Sequence, residues 1–348
     1  MTELLEVKNL EVAFYTKDGI VRAVNKISYS LEKGGILGVV GESGCGKSVS
    51  MMSMLRLLPE PPAKIVGGQA LLNGRDLLRM KPSVLNHVRG AEISIVFQDP
   101  MTSLNPVMTI GDQIAESMQV NLGMSHHEAI QKTIQLLERV GIPKPSDRVK
   151  DYPHQFSGGM RQRVMIAIAI SCQPKLLIAD EPTTALDVTI QAQIVDLVKQ
   201  LQIELDMAVI WITHDLGVIA RLAKRVNVMY AGYIVEMGPS LPVFKHPAHP
   251  YTIGLLGSLP GKQMATDQDL VYIEGAPPDM IRLPKGCPFE PRCPYRSDTC
   301  STEHPALTSV GKDHQAACWN LEQIKSQGSN LAFYRPSSTL VNGVSTHE

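Results

Sequence analysis

The sequence predicts an α/β fold built on a mainly parallel sheet, and three observations carry that prediction. The runs Ile36–Val40, 175–179 and 208–212 are apolar almost from end to end. A strand hydrophobic on both faces is buried on both, as strands of a parallel sheet are. Helical periodicity marks 48–58, 125–140, 158–171 and 189–204, and strands alternating with helices give parallel βαβ units. Ahead of them, β-like runs at 4–7, 11–15 and 23–31 end at Gly34-Gly35.

A chain of 348 residues suits one large domain and a smaller appendage. With 44% hydrophobic and 19% charged residues it can bury a sizeable core. The formal net charge of −1 argues against nucleic acid, which needs a basic surface to displace its counterions. The charged first residues lack the apolar segment of a signal peptide. No run is long and apolar enough for a membrane-spanning helix, so any work at a membrane would be done from the aqueous side through partner subunits. Prolines accumulate from His246 onward, placing a boundary near 245–260. The expected division is 1–255, a C-terminal domain over 256–325, and a polar, frayed tail over 326–348.

Gly41-Glu42-Ser43-Gly44-Cys45-Gly46-Lys47-Ser48 follows the buried run Ile36–Val40 and opens a helix. That spacing is a phosphate-binding loop: its glycines let backbone N–H groups wrap phosphates, and the helix N-terminus adds its positive end. Lys47 is expected to reach the β- and γ-phosphates of ATP and Ser48 to ligate Mg²⁺. Cys45 reads as a small residue at a permissive position rather than a reactive thiol. The run 176–180 ends in Asp180 and is followed at once by Glu181. Asp180 would hold Mg²⁺ through water, and Glu181 would act as general base toward the water attacking the γ-phosphate. Alone, two acids at a strand end are ordinary solvated residues; downstream of such a loop they form a hydrolytic set.

Phe156-Ser157-Gly158-Gly159-Met160, followed by Arg161-Gln162-Arg163, resembles the signature motif of ABC ATPases, with Met160 departing from the usual Gln. Further segments fall in family order. Gln98, in Phe97-Gln98-Asp99-Pro100, resembles the Q-loop glutamine and by that resemblance joins Ser48 and Asp180 at Mg²⁺. Thr184-Ala185-Leu186-Asp187 is similar to the D-loop, His214 to the switch histidine at the γ-phosphate, and Phe14 to the aromatic that stacks on adenine, with Tyr15 the alternative. The family fold is a P-loop NTPase: a RecA-like core, an antiparallel β subdomain, and a helical subdomain placed here at about 100–172. In the family, Ser157, Gly158, Gly159 and Met160 serve the ATP of a partner subunit.

Met229-Tyr230-Ala231-Gly232, the segment from His249-Pro250-Tyr251 to Leu256, and Gly286-Cys287-Pro288 to Cys293-Pro294 resemble the oligopeptide and dipeptide importers of that family. The resemblance implies an ATPase subunit at the cytoplasmic face of the membrane. Its partners would be a paralogous ATPase (a homodimer second), two integral membrane permeases and, indirectly, an extracytoplasmic substrate-binding protein. Nickel or another small solute is the alternative cargo, and a soluble ABC ATPase outside transport the alternative class. Cys287, Cys293, Cys300 and Cys318 are spaced C-x5-C-x6-C-x17-C. By spacing they suit a cubane cluster or tetrahedral Zn²⁺; the resemblance implies a 4Fe–4S cluster, with Zn²⁺ the alternative.

Overall fold

The computed structural model describes residues 3–184, 186–258 and 273–327. The chain opens with β1 (Glu3–Thr16), β2 (Gly19–Glu32) and β3 (Ile36–Val40), then α1 (Lys47–Met54), β4 (Ala63–Leu72), β5 (Arg75–Asp76), α2 (Pro82–Ala91) and β6 (Ile93–Val96). A helical stretch follows: α3 (Pro100–Ser103), α4 (Ile110–Leu122), α5 (His126–Arg139), α6 (Pro145–Arg148) and α7 (Gly158–Ile170). Next come β7 (Leu176–Asp180), α8 (Val188–Glu204), β8 (Ala208–Thr213), α9 (Leu216–Leu222), β9 (Arg225–Tyr230) and β10 (Tyr233–Pro239). Beyond the helix Pro250–Gly257, a hairpin of β11 (Thr308–Gly311) and β12 (His314–Ala316) precedes a further helix, Leu321–Gln327.

Two sheets result. One is antiparallel, in the order β2-β1-β4-β5; the other has eight strands in the order β11-β12-β10-β9-β3-β8-β7-β6. Within the second, β9, β3, β8, β7 and β6 are mutually parallel. The fully apolar strands explain themselves by alternation. Ile36 and Val40 of β3, Leu177 and Ala179 of β7, and Val209 and Trp211 of β8 enter one core with residues of α4, α7, α8 and α9. Leu37, Val39, Leu176, Ile178, Ile210 and Ile212 enter a second core with β1, β2 and α1. Successive side chains point to opposite faces of a strand, so a sheet with a core on each side needs apolar residues at every position.

The expected helical subdomain is helical throughout, from α3 to α7. Its α5 begins with a capping box, in which Ser125 accepts from the Glu128 N–H and Glu128 accepts from the Ser125 N–H. Elsewhere the boundaries moved. The helix expected over 48–58 ends at Met54, ahead of Pro59, Pro61 and Pro62. The strand signals at 4–7 and 11–15 are one strand, β1, interrupted by bulges around Leu10 with Asn9 at φ 48°.

Among the described residues, the segment expected as a C-terminal domain over 256–325 packs onto the main sheet and core. β12 pairs with β10 at the edge of the main sheet, and Cys287, Phe289 and Cys300 belong to the main core. Buried Glu236 of β10 fixes this junction, accepting from the N–H groups of Ala248 and His249 and lying 2.7 Å from His314 Nε2 on β12. The short, polar hairpin therefore joins by backbone pairing rather than by a core of its own. Of the expected tail, residues 328–348 lie outside the described residues, as does Ala185 of the expected D-loop.

Candidate functional site

Parallel strands share a direction, so their C-terminal ends lie along one edge of the sheet, where open α/β sheets bind ligands. Four loops leave that edge: 41–46 after β3, Phe97-Gln98 after β6, Glu181 after β7 and His214 after β8. This common direction brings together residues spread over more than half the chain.

The loop after β3 closes on itself. Gly46 is the left-handed N-cap of α1 at φ 99°, and a Cβ there would stand 2.2 Å from the Ala23 carbonyl oxygen. No other residue fits that turn. Lys47 is 4% exposed, and its Nζ donates to the carbonyls of Gly41 at 2.8 Å and Glu42 at 2.9 Å. Ser43 and Gly44 are exposed at the tip of the loop. Cys45 is buried, and burial pushes its thiol up, with the nearby Lys47 opposing. Both burial and the raised thiol disfavour the reactive thiolate.

Ser48 Oγ donates to Asp180 Oδ1 at 2.8 Å. Burial raises the Asp180 carboxyl, Ser48 opposes the rise, and the adjoining Glu181 carboxylate adds to it. Two neighbouring carboxylates beside one ammonium leave negative charge to be neutralised. A hydroxyl oxygen and a carboxylate oxygen are the hard donors that Mg²⁺ prefers, so Ser48 and Asp180 fit that ion.

Glu181 sits at φ 47°, a left-handed conformation that a non-glycine residue adopts at a cost, and its N–H bonds the Ile212 carbonyl of β8 at 3.0 Å. Its carboxylate is a meeting point. Oε2 accepts from Thr184 Oγ1 at 3.0 Å, lies 3.4 Å from His214 Nδ1 and is 3.5 Å from Gln98 Nε2; Oε1 is 3.9 Å from Lys47 Nζ. Gln98 thus faces Glu181, beside the bonded pair Ser48 and Asp180.

The signature residues lie elsewhere, at the start of α7. Ser157 is its N-cap, exposed, accepting from the Met160 N–H at 3.4 Å. Gly159 lies in a close approach: a Cβ there would stand 2.9 Å from Ile190 Cγ2 on α8, so the Ile190 side chain would have to shift. Gly158 is exposed and Met160 half-buried against the core. Asp187 caps α8 through the Ile190 N–H at 2.9 Å. Phe14 is half-buried on β1, opposite Val21 and Ala63, while Tyr15 is 49% exposed.

Residues singled out for no role also reach the loop. The Tyr251 hydroxyl accepts from the Glu42 N–H at 2.8 Å, and Arg292 pairs with the Glu42 carboxylate. The only signal in the sequence was that both stand in segments resembling the importer branch.

Cys287, Cys293, Cys300 and Cys318 line one small cavity of about 10 Å³, together with His249 and Trp319. Among the described residues no group of three His, Cys, Asp or Glu side chains is placed to hold a metal ion. The side-chain placement therefore supports neither the 4Fe–4S cluster nor its Zn²⁺ alternative. Burial raises the thiols of Cys287 and Cys293 to about 12 and that of Cys318 to about 11, and the charges of the neighbouring sulfurs add to each. Backbone hydrogen bonds at Phe289, Tyr295 and Asn320 oppose this at Cys287, Cys293 and Cys318 respectively.

Comparison with known proteins agrees with this geometry. The family model described as ABC transporter matches residues 24–184, and the model described as Oligopeptide/dipeptide transporter, C-terminal region, matches 235–300. The chain is 50% identical over 323 residues to the dipeptide transport ATP-binding protein DppD of Bacillus subtilis, covering 93% of this chain and 96% of that one. To the oligopeptide transport ATP-binding protein OppD of Salmonella typhimurium it is 49% identical over 316 residues, covering 91% and 93%. Among solved structures, the dimeric ATP-binding cassette MJ0796 bound to ADP and Pi matches with a TM-score of 0.61 at 25% identity, over 68% of this chain and 98% of that one. The cbiO1 subunit of Clostridium perfringens matches at 0.61 and 27%, over 71% and 92%. This chain belongs to the ATP-binding subunits of the ABC transporter family, in its oligopeptide/dipeptide branch.

Proposed function

We propose that this chain hydrolyses ATP at the cytoplasmic face of the cell membrane and thereby drives uptake of dipeptides or oligopeptides. The observation that carries the ATPase reading is the convergence of Lys47, Thr184, His214 and Gln98 on the Glu181 carboxylate beside the Ser48–Asp180 pair. The loop N–H groups and Lys47 hold the phosphates. Ser48 and Asp180 would hold Mg²⁺, which when bound would supply positive charge to the phosphate oxygens. Glu181 takes a proton from the attacking water, and Gln98 and His214 position that water and the γ-phosphate. The peptide cargo rests on the printed functions of the relatives and on the match of the C-terminal region.

Among the described residues no helix is long and apolar enough to cross a membrane. Integral membrane permeases therefore supply the path for the cargo. Ser157 and Gly158 are exposed at the N-terminus of α7, which would serve as an anion site for the ATP of a partner cassette. A paralogous ATPase is the proposed partner. The isolated chain should hydrolyse ATP slowly, and the transporter assembled with permeases, partner ATPase and peptide-loaded receptor at least about 10-fold faster. Stimulation by nickel instead of peptide would overturn the cargo; full turnover by a strictly monomeric chain would overturn the shared site.

The four cysteines are proposed to hold a 4Fe–4S cluster that fixes the C-terminal segment. The reading rests on the resemblance and on all four cysteines lining one cavity, where Cys318 Sγ accepts from the Asn320 N–H at 3.4 Å. Buried thiols raised this far ionise only when a cation compensates them. Protein purified without oxygen should be brown and contain iron and sulfide in equal amounts, and Cys300→Ser should lose the colour. A colourless protein with one zinc per chain, or with no metal, would exclude the cluster.

A further inference from the structure

Glu42 is held at each of its polar groups. Its N–H donates to Tyr251, its carbonyl accepts from Lys47 at 2.9 Å, and its carboxylate receives both arms of Arg292, Nη1 at 2.8 Å and Nη2 at 3.0 Å. Arg292 lies 250 residues away, beside Cys293, and its side chain is 6% exposed. Every nitrogen of the guanidinium is used: Nη1 also donates to the Tyr230 hydroxyl at 3.2 Å, Nη2 to the Ile273 carbonyl at 3.4 Å and Nε to the Glu274 carbonyl at 3.1 Å. Its carbon sits 5.8 Å from the Tyr230 ring centre and 6.0 Å from that of Phe289. The rings of Tyr230, Tyr251 and Phe289 pack together, with centres 4.6 to 5.5 Å apart. A planar fork held on three sides fixes the carboxylate it grips in place, which a flexible ammonium would not do.

We propose that Arg292 is a positioning residue for the phosphate-binding loop, so that the C-terminal segment sets the affinity for ATP through Glu42. Two further contacts extend the grip to the β1–β2 hairpin. The Arg22 N–H of β2 donates to the Met280 carbonyl at 3.2 Å, and Ile281 Cγ2 closes on Gly19 so tightly that a Cβ there would stand 2.7 Å away. The C-terminal segment thus touches the loop that takes the phosphates and the hairpin that bears Phe14. The inference rests on residues 41–48 binding the nucleotide, which Lys47→Ala tests separately. Arg292 itself touches no phosphate; it acts by fixing where Glu42, and with it the first turn of the loop, sits. Buried pairs of this kind are costly to break from one side, because the remaining charge is left uncompensated.

The test uses the full-length chain and four variants: Arg292→Gln, Arg292→Lys, Glu42→Gln and the double variant Arg292→Gln/Glu42→Gln. ATP affinity is measured by calorimetric titration with Mg²⁺ present, KM and kcat by steady-state hydrolysis, and folding by thermal unfolding without nucleotide. Arg292→Gln and Glu42→Gln should each weaken ATP binding by roughly 5- to 20-fold, and the double variant no more than the worse single one. Arg292→Lys, which keeps the charge but not the fork, should recover part of the loss. KM should rise while kcat stays within about twofold. A lowered melting temperature with KM unchanged, or additive losses in the double variant, would overturn the proposal. If Arg292→Gln does not fold, Glu42→Gln breaks the same pair from the loop side, and unchanged affinity there overturns it equally.

Discussion

Glu181→Gln is expected to bind ATP as well as the parent chain and to turn it over about 10²–10⁴-fold more slowly. The substitution keeps the shape of the side chain and its acceptor oxygen while removing the base. Thr184 Oγ1, at 3.0 Å, can still donate to the amide oxygen, so the strained backbone at φ 47° keeps its local support. Nothing in the change touches the loop that takes the phosphates, apart from the 3.9 Å approach to Lys47. Affinity and chemistry should therefore separate. ATP would accumulate on the protein, and two cassettes closed around it would stay closed. The check is a binding titration beside a single-turnover measurement on the assembled transporter. Turnover within a factor of a few of the parent would remove Glu181 from its role and leave the water to be activated by phosphate or by His214.

The edge of the sheet that carries this chemistry was legible because its signals are local. Ile36–Val40 and the run ending in Asp180 are buried on both faces, so their composition alone marked them as parallel strands. The loop residues follow directly from those strands. Three kinds of feature were hidden. The bulged β1 breaks the alternation that identifies a strand, and Gly67-Gly68 breaks it again in β4. The hairpin of β11 and β12 is seven residues of mostly exposed strand joined to the sheet by backbone hydrogen bonds, which composition does not record. The grip of Arg292 on Glu42 depends on tertiary packing across 250 residues. The prolines around 250 read as a break, yet Pro250 opens a buried helix whose N-cap is His249; proline suits the first turn of a helix as well as a linker. Gln98 is a smaller case: the loop after β6 and the loop after β7 leave neighbouring strands, which sets it beside Glu181.

Lys47→Ala is expected to weaken ATP binding itself, by roughly 10- to 150-fold, as loss of a charge-assisted hydrogen bond worth ~1.5–3 kcal/mol requires. The ammonium is almost fully buried and supplies the positive charge between the loop carbonyls and Glu181. Its removal leaves Asp180 and Glu181 facing the phosphates of ATP with only Mg²⁺, the loop N–H groups and the N-terminus of α1 to compensate. It also strips a donor from the carbonyls of Gly41 and Glu42, so the loop should loosen even before nucleotide arrives. A drop in melting temperature is thus part of the expected result, and affinity must be measured on material shown to be folded. The contrast with Glu181→Gln is what makes the pair informative: one variant binds and does not turn over, the other barely binds. Glu42→Gln should fall between them, because it keeps Lys47 and loses only the outer anchor at Arg292. Unchanged affinity in folded Lys47→Ala protein would mean that the phosphates sit elsewhere. It would take with it the reading of residues 41–48 on which the roles of Ser48, Asp180 and Glu181 depend.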